Sequence, residues 1–277
     1  MKFSLWTQYG ALNSKPVFEA FKQSLDASGY TVTENDPTAD VDVIWSVLWC
    51  GKMAANKQIF HNGKPTIVLE VGGIYRGTTW KVCLNGIGYS NCMPNVSRNK
   101  SRDHPRLPLE PWKEPGENIL VCCQHPKSHM WENMPVTAEW VDNVITRVRR
   151  YSNKHIIVRP HPRYPIKLMH DYDNVSLQTP KKIQGSYDDF DLSFENLHAV
   201  VSWSSNPGPQ AIVAGVPAFV GPNSLAFDVA NTNLENIENP ERPDRSQWII
   251  DYSYSEYTLN EISQGIPLRK LLKSLDI

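Results

Sequence analysis

Much that would classify this chain at once is missing from it. No apolar run approaches the roughly 18–20 residues that cross a membrane, and Met1–Trp6 lacks the apolar stretch of a signal peptide. A soluble, cytoplasmic protein without membrane partners is therefore expected. Cysteine is scarce: five residues, at 50, 83, 92, 122 and 123. An odd number without C-x-x-C spacing predicts neither a disulfide framework nor a structural metal. Neither charge sign dominates, with 28 Lys+Arg against 29 Asp+Glu, and a pI of about 6.7 is low for a DNA-binding protein. Gly51-Lys52 and Gly63-Lys64 lack the preceding glycine loop of a Walker nucleotidase. His125 and His129 are four apart without H-E-x-x-H, and Pro126 opposes the helix such a metal site needs. There is no internal repeat.

What is present is a folded composition: 277 residues, 21% charged, with nine Trp. That length suits two small domains or one large one. Apolar runs of strand length recur at 3–8, 41–47, 65–71, 119–124, 155–161, 199–203 and 217–220. Apolar on both faces, they fit strands inside a parallel sheet. Helical patterns lie between them at 15–28 and 137–151, and an amphipathic pattern closes the chain at 258–276. The alternation predicts an α/β protein with parallel sheets. Pro105, Pro108, Pro111 and Pro115 interrupt it within eleven residues, which reads as a linker, because the strand–helix rhythm restarts just beyond. The expected divisions are 1–108, 109–252 and a C-terminal helix at 253–277 that packs back on the first domain.

The near-neutral total hides a polarised second half. From Arg147 to Lys182 there are nine basic and two acidic residues; from Ser186 to Glu261 there are two basic and twelve acidic. The first stretch predicts a localised anion site. Within it, His161 lies between Pro160 and Pro162 at a strand end, flanked by Arg159 and Arg163, whose forked donors suit phosphate. Further on, the apolar run ending at Trp203 meets Ser204, Ser205 and Asn206 before a short helix that Gly215 ends. A helix start at the end of a parallel strand offers N–H groups to phosphate, although these polar residues also suit plain capping.

Strand, Ser204-Ser205, short helix and then Ala214-Gly215-Val216-Pro217 resembles the donor segment of GT-B glycosyltransferases, and is most similar to capsular-polysaccharide Kdo transferases and phage-encoded glycosyltransferases. Pro160-His161-Pro162 resembles the element that lies by the donor phosphates there, and the strand ending in Gln124, with Ser128 beyond, resembles the segment facing the nucleotide. The tail at 252–271 is similar to a C-terminal helix of phage members. The resemblance covers about 118–270 and implies two Rossmann-like domains facing a cleft, with Ser204, Ser205, Asn206 and Gln210 on the donor. Gln210 stands where these enzymes commonly carry Glu, so it hydrogen-bonds without charge. It further implies an inverting, metal-independent hexosyl- or pentosyltransferase that requires no cofactor beyond its nucleotide-sugar, a UDP-sugar being favoured, and a monomer or homodimer.

The first domain then has to supply the acceptor site and a base for the acceptor hydroxyl. Glu70, which ends an apolar strand ahead of Gly72-Gly73, is the candidate base, although it equally suits a strand-end charge paired with Arg76 or Lys81. The glycines would let backbone approach a ligand closely. Trp45 flanks these strand ends as a stacking or core residue, and with Gly72, Gly73 and Arg76 it makes up the acceptor-side set. The phage resemblance implies a hydroxymethylated pyrimidine in DNA as acceptor, with Arg98-Asn99-Lys100-Ser101-Arg102 on the phosphate backbone. A saccharide acceptor is the alternative, and a non-catalytic nucleotide-sugar or nucleic-acid binding protein the second.

Overall fold

The structure is a computed structural model that describes residues 1–93 and 107–275. The basic run Arg98–Arg102 lies outside the described residues. The chain divides into two units, Met1–Arg106 with Ile250–Ile277, and Leu107–Ile249. Each carries one five-stranded sheet. Among the described residues no helix is long and apolar enough to cross a membrane.

The first unit runs β1 (Lys2–Leu5), α1 (Lys15–Ala27), β2 (Thr31–Glu34), β3 (Val41–Trp45), α2 (Asn56–Phe60), β4 (Thr66–Val71), β5 (Trp80–Leu84) and α3 (Tyr89–Cys92). Its sheet order is β2-β1-β3-β4-β5. α1 forms where Pro16 presets the first turn and Val17, Phe18, Phe21 and Leu25 repeat at helical spacing. Those four side chains are buried in one cluster with Phe3, Leu5, Val43 and Ile67 of the sheet. Burial of each stabilises the unit by roughly 1.5–3 kcal/mol.

Several expectations need correction here. The run 3–8 is a strand only to Leu5, and Thr7–Tyr9 forms a 3-10 turn. β5 pairs antiparallel with β4, so this sheet is mixed. β2 carries no apolar run to announce it, because as an edge strand it is half exposed. Trp45 is a core residue, 2% exposed among Phe21, Leu69 and Trp80, and offers no face to a sugar. Cys83 and Cys92 form a disulfide with Cα atoms 5.7 Å apart, contrary to the expectation from spacing. The chain reverses between β5 and α3, and spacing alone says nothing about cysteines that a reversal brings together. Cys122 and Cys123 are buried thiols, and burial pushes Cys122 up to about 12 and Cys123 higher still.

The second unit contains β6 (Asn118–Cys122), α4 (Thr137–Arg149), β7 (His155–Arg159), β8 (Val175–Leu177), β9 (Leu197–Ser202), α5 (Pro207–Val213) and β10 (Ala218–Phe219). These strands pair in parallel, in the order β10-β9-β6-β7-β8. α4 buries Trp140, Val141, Val144, Ile145 and Val148 against Ile119, Val121, Ile156 and Val158. α5 ends in a Schellman arrangement: Val216 N–H bonds Ala211 C=O and Gly215 N–H bonds Ile212 C=O. The proline-rich stretch is fixed to this end, with Glu110 N–H on Val213 C=O and Lys113 N–H on Gly215 C=O. The Arg245 guanidinium stacks 3.6 Å over Trp112.

α6 (Ser246–Ser253) leads back to the first unit, followed by α7 (Leu259–Ser263) and α8 (Ile266–Ser274). The single closing helix expected from the sequence is two, because Gly265 turns left-handed (φ 72°) between them. α7 starts with a reciprocal capping box of Thr258 and Glu261. Just before it, the fully buried Glu256 carboxylate accepts bonds from Gly73 N–H (2.6 Å), Ile74 N–H (3.2 Å) and Thr79 Oγ1 (2.7 Å). A Cβ on Gly72 would stand 2.2 Å from Glu256 Oε2 and 2.3 Å from Thr79 C=O. The close approach that Gly72-Gly73 permits is therefore to Glu256, not to a ligand. Glu256→Gln places an amide N–H₂ against donors and should cost about 2–4 kcal/mol. Urea denaturation checks this, and a loss below about 0.5 kcal/mol, the range of neutral surface changes, would show the clamp to be dispensable.

Candidate functional site

In the second unit, β6 leads to β7 on one side while β9 returns on the other side of β6. The strand order therefore reverses between β6 and β9. At such a point the two crossovers leave the sheet on opposite faces, and a crevice opens at the carboxyl ends of the strands. Three loops start there: 123–128 after β6, 160–164 after β7 and 203–206 after β9.

Gln124 joins two of them. It is buried, and its Oε1 accepts Ser204 N–H (3.2 Å) and Ser204 Oγ–H (2.8 Å). A backbone N–H only donates, so Oε1 faces Ser204 and the amide orientation is fixed. Nε2 is left to donate to Ser128 Oγ at 3.2 Å. Ser128 also caps the 3-10 turn His129–Trp131 by accepting Met130 N–H. Gln124, Ser128 and Ser204 thus form one chain across the reversal.

The third loop is joined through imidazole. His161 Nδ1 accepts Arg163 N–H at 3.1 Å, and the His161 ring stands edge-to-face on His125 with centroids 5.0 Å apart. His125 Nδ1 in turn accepts Lys127 N–H at 3.1 Å. Burial, then Lys127 and Arg163, hold His125 below its ordinary pKa of 6.5. His125 has no site role in the sequence reading, where it stands beside Gln124 and forms half of a rejected metal pair. The signal that was there is the repetition of His-Pro-basic at the ends of two strands.

At the start of α5, capping does not account for the polar cluster. Asn206 occupies the N-cap without a side-chain cap bond. Ser202 Oγ and Ser205 Oγ are buried with no hydrogen-bond partner among the described residues. A buried hydroxyl left so costs about 1–3 kcal/mol, and a ligand oxygen is one thing that relieves it. Gly208 brings the helix onto β9, since a Cβ there would lie 2.7 Å from Ser202 Oγ. Gln210 sits one turn further along, its N–H on Asn206 C=O.

The basic arm is less available than its charge count implies. Buried Arg159 is bound to Gln178 Oε1 (2.9 Å), to the Asp191 backbone C=O and to the Asp191 carboxylate (3.2 Å). This corrects its expected donor role: it straps the 178–191 excursion to β7. Arg163 pairs with Asp188, which Lys182 also approaches at 3.7 Å. The acidic stretch thus folds onto the basic one. Arg163 is half exposed, while Asp188 is only 23% exposed, so an anion has to compete with Asp188 for this guanidinium.

In the first unit, Glu70 lies part-exposed near the carboxyl end of β4. Its Oε2 accepts Ser46 Oγ–H at 2.6 Å and its Oε1 accepts Val71 N–H at 2.9 Å. Ser46 follows β3 directly, in a left-handed conformation (φ 65°). Lys81 stands opposite Glu70 on β5, and Arg76 is part-buried in the loop between β4 and β5. Asp42, at the start of β3, is fully buried on Trp6 Nε1 and Asn62 Nδ2, both at 2.7 Å.

No protein-family model matches the chain, and no curated protein matches it in sequence. Solved structures do. KpsC, beta Kdo 2,7 transferase, from Thermosulfurimonas dismutans is 12% identical, with 97% of this chain and 100% of that chain covered and a TM-score of 0.52. The likeness is one of fold. The beta Kdo 2,4 transferase of the same KpsC is a weaker match, 10% identical over 92% of this chain and 98% of that one, with a TM-score of 0.41. This chain is a mixed α/β protein with parallel sheets, similar in fold to the first of these.

Two buried histidines give the unit a pH signature. His198 donates Nε2–H to Ile237 C=O at 2.6 Å, and burial lowers its pKa as it does that of His125. In the unfolded chain both titrate near 6.5. As pH falls below that value the unfolded state takes up protons that the folded state does not, so stability falls. Melting temperature should therefore be level above about pH 7 and fall as the pH drops below about 6.5. His198→Gln should flatten part of that drop, and an unchanged profile would remove His198 from the account.

Proposed function

We propose that the protein is a glycosyltransferase whose second unit binds the phosphates of a nucleotide-sugar. The observation that supports this most is the Gln124–Ser204 bond at the strand reversal, with His161 and the Ser205 hydroxyl beside it. The fold likeness to a sugar transferase supports the same reading. Ser204 Oγ, having given its hydrogen to Gln124, keeps lone pairs for a ligand hydroxyl or water, and its backbone is locked in place. Ser205 Oγ–H, Asn206 and His161 offer hydrogen bonds to phosphate oxygens, and Arg163 offers charge once Asp188 is displaced. Fixed donors of this kind stabilise the negative charge that accumulates on a departing phosphate as the anomeric bond breaks.

In the first unit we propose Glu70 as the base that takes the proton of the acceptor hydroxyl. Ser46 orients the carboxylate through one oxygen, which holds its rotamer without neutralising it. The acceptor best supported is a saccharide hydroxyl. The fold likeness is to a transferase named for a sugar, while the hydroxymethylated DNA base rests on resemblance alone. A UDP-sugar, inversion and independence of metal remain parts of the proposal that the donor experiment addresses.

Glu70→Gln should lower turnover by about 10²–10⁴-fold and leave donor affinity within about threefold, since only the proton acceptor is lost. Ser204→Ala and Gln124→Ala should each weaken donor binding by about tenfold, the loss of one or two buried hydrogen bonds. A panel of nucleotide-sugars read by thermal shift identifies the donor. Labelled donor with saccharide and with hydroxymethylated DNA then reads transfer. A donor that binds but is never hydrolysed or transferred, with or without divalent metal, would leave a binding protein and defeat the enzyme reading.

A further inference from the structure

The loops after β6 and β7 contain the same device twice. His125-Pro126-Lys127 and His161-Pro162-Arg163 each follow a strand, and each imidazole accepts the backbone N–H two residues on at 3.1 Å. Asparagine and aspartate close turns in this way, with a side-chain oxygen where these residues use Nδ1. A backbone N–H can only donate, so in both rings Nδ1 is the unprotonated nitrogen and a neutral ring carries its hydrogen on Nε2. A second proton on Nδ1 would expel the backbone N–H and open the turn.

The two strands are neighbours in the sheet, with Cys122 opposite Arg159, so the two turns lie side by side. Their rings meet edge-to-face at 5.0 Å, and Tyr164 covers His125 from a third side with centroids 5.6 Å apart. The charged groups that act on His125 are the cations Lys127 and Arg163, the second of them paired with the Asp188 carboxylate. Lys127 is exposed and Arg163 half exposed, while His125 is buried. A neutral His125 N–H donor beside Lys127, with Arg163 in reach once Asp188 is displaced, suits an anion with several oxygens, and a ring beside cations has little reason to become another one.

We infer that His125 and His161 together form a phosphate subsite, in which His125 is an uncharged Nε2–H donor to the anion and Lys127 and Arg163 supply the charge. This rests on the nucleotide-sugar reading for its natural ligand and narrows that ligand to one whose phosphate lies over the β6–β7 side of the reversal. The Gln124–Ser204 chain, on the β6–β9 side, then serves the remainder of the donor.

Asparagine and glutamine separate a ligand role for His125 from a turn role. In His125→Asn the side-chain oxygen replaces Nδ1 and keeps the turn, but nothing reaches as far as Nε2. In His125→Gln the amide reaches to Nε2, but the turn acceptor is misplaced. Inorganic pyrophosphate is the probe, titrated into the full chain with ¹⁵N-histidine for NMR and by calorimetry. The expected result is an Nε2–H tautomer at His125 whose Nε2 resonance moves on binding. Affinity should fall about tenfold in His125→Asn, the loss of one charge-assisted hydrogen bond, and stay within about threefold in His125→Gln. The melting temperature should fall more in His125→Gln than in His125→Asn. Wild-type affinity in His125→Asn, an unmoved Nε2 resonance, or no pyrophosphate binding by the wild-type chain would each overturn the inference. If His125→Asn does not fold, the resonance decides alone. Sugar transfer is a separate reading: intact transfer in His125→Asn removes the subsite and spares the transferase. His125-dependent pyrophosphate binding without transfer does the reverse.

Discussion

A single side-chain amide holds the second unit's carboxyl edge in shape. Gln124 is buried and joins the loops that follow β6 and β9, with Ser204 on its carbonyl oxygen and Ser128 on its nitrogen. Because Ser204 N–H fixes the amide orientation, the hydroxyl directions around it follow. Ser128 then starts the turn to His129–Trp131, and Ser204 starts the approach to α5. Remove the amide and the Ser204 backbone loses its anchor, with Ser205 and Asn206 the next residues along. The parallel sheet beneath supplies the geometry that makes so short a bridge possible, since β6 and β9 run side by side from 118 to 122 and 197 to 202.

Sequence pattern showed the buried parallel strands well, because a strand covered on both faces is an uninterrupted apolar run. It did not show β2, β5 or β8. β2 and β8 are short, half-exposed edge strands whose pairing is decided by tertiary position rather than by their own side chains. Around the candidate site, Gln124, Ser128, Ser204 and Asn206 were legible as polar residues at strand ends, and the structure brings the first three into one hydrogen-bonded chain. His125 was hidden by its motif. A histidine next to a proline is unremarkable until the neighbouring strand is found to end in the same way, and that adjacency exists only in the folded sheet.

Charge is where sequence misled most. The excess of basic residues from 147 to 182 reads in sequence as a localised anion site, with the acidic stretch after 186 separate from it. Folding brings them together: Arg159 is committed to Asp191, and Arg163 and Lys182 both face Asp188. What remains for a ligand is small and uses neutral donors as much as charge. The same lesson applies to Gly72-Gly73, whose lack of side chains serves a buried carboxylate of the same unit. Glu70 is different, being part-exposed and held by a hydroxyl, so its position remains compatible with chemistry.

We propose that the loops after β6, β7 and β9 bind a nucleotide-sugar's phosphates as one site. Hydrogen–deuterium exchange with and without the nucleotide-sugar that most raises the melting temperature tests it directly. The account predicts slowed exchange together in peptides covering 123–129, 160–164 and 203–208, at one common ligand concentration. Unchanged exchange in those three segments, with protection confined to other parts of the chain, would contradict it.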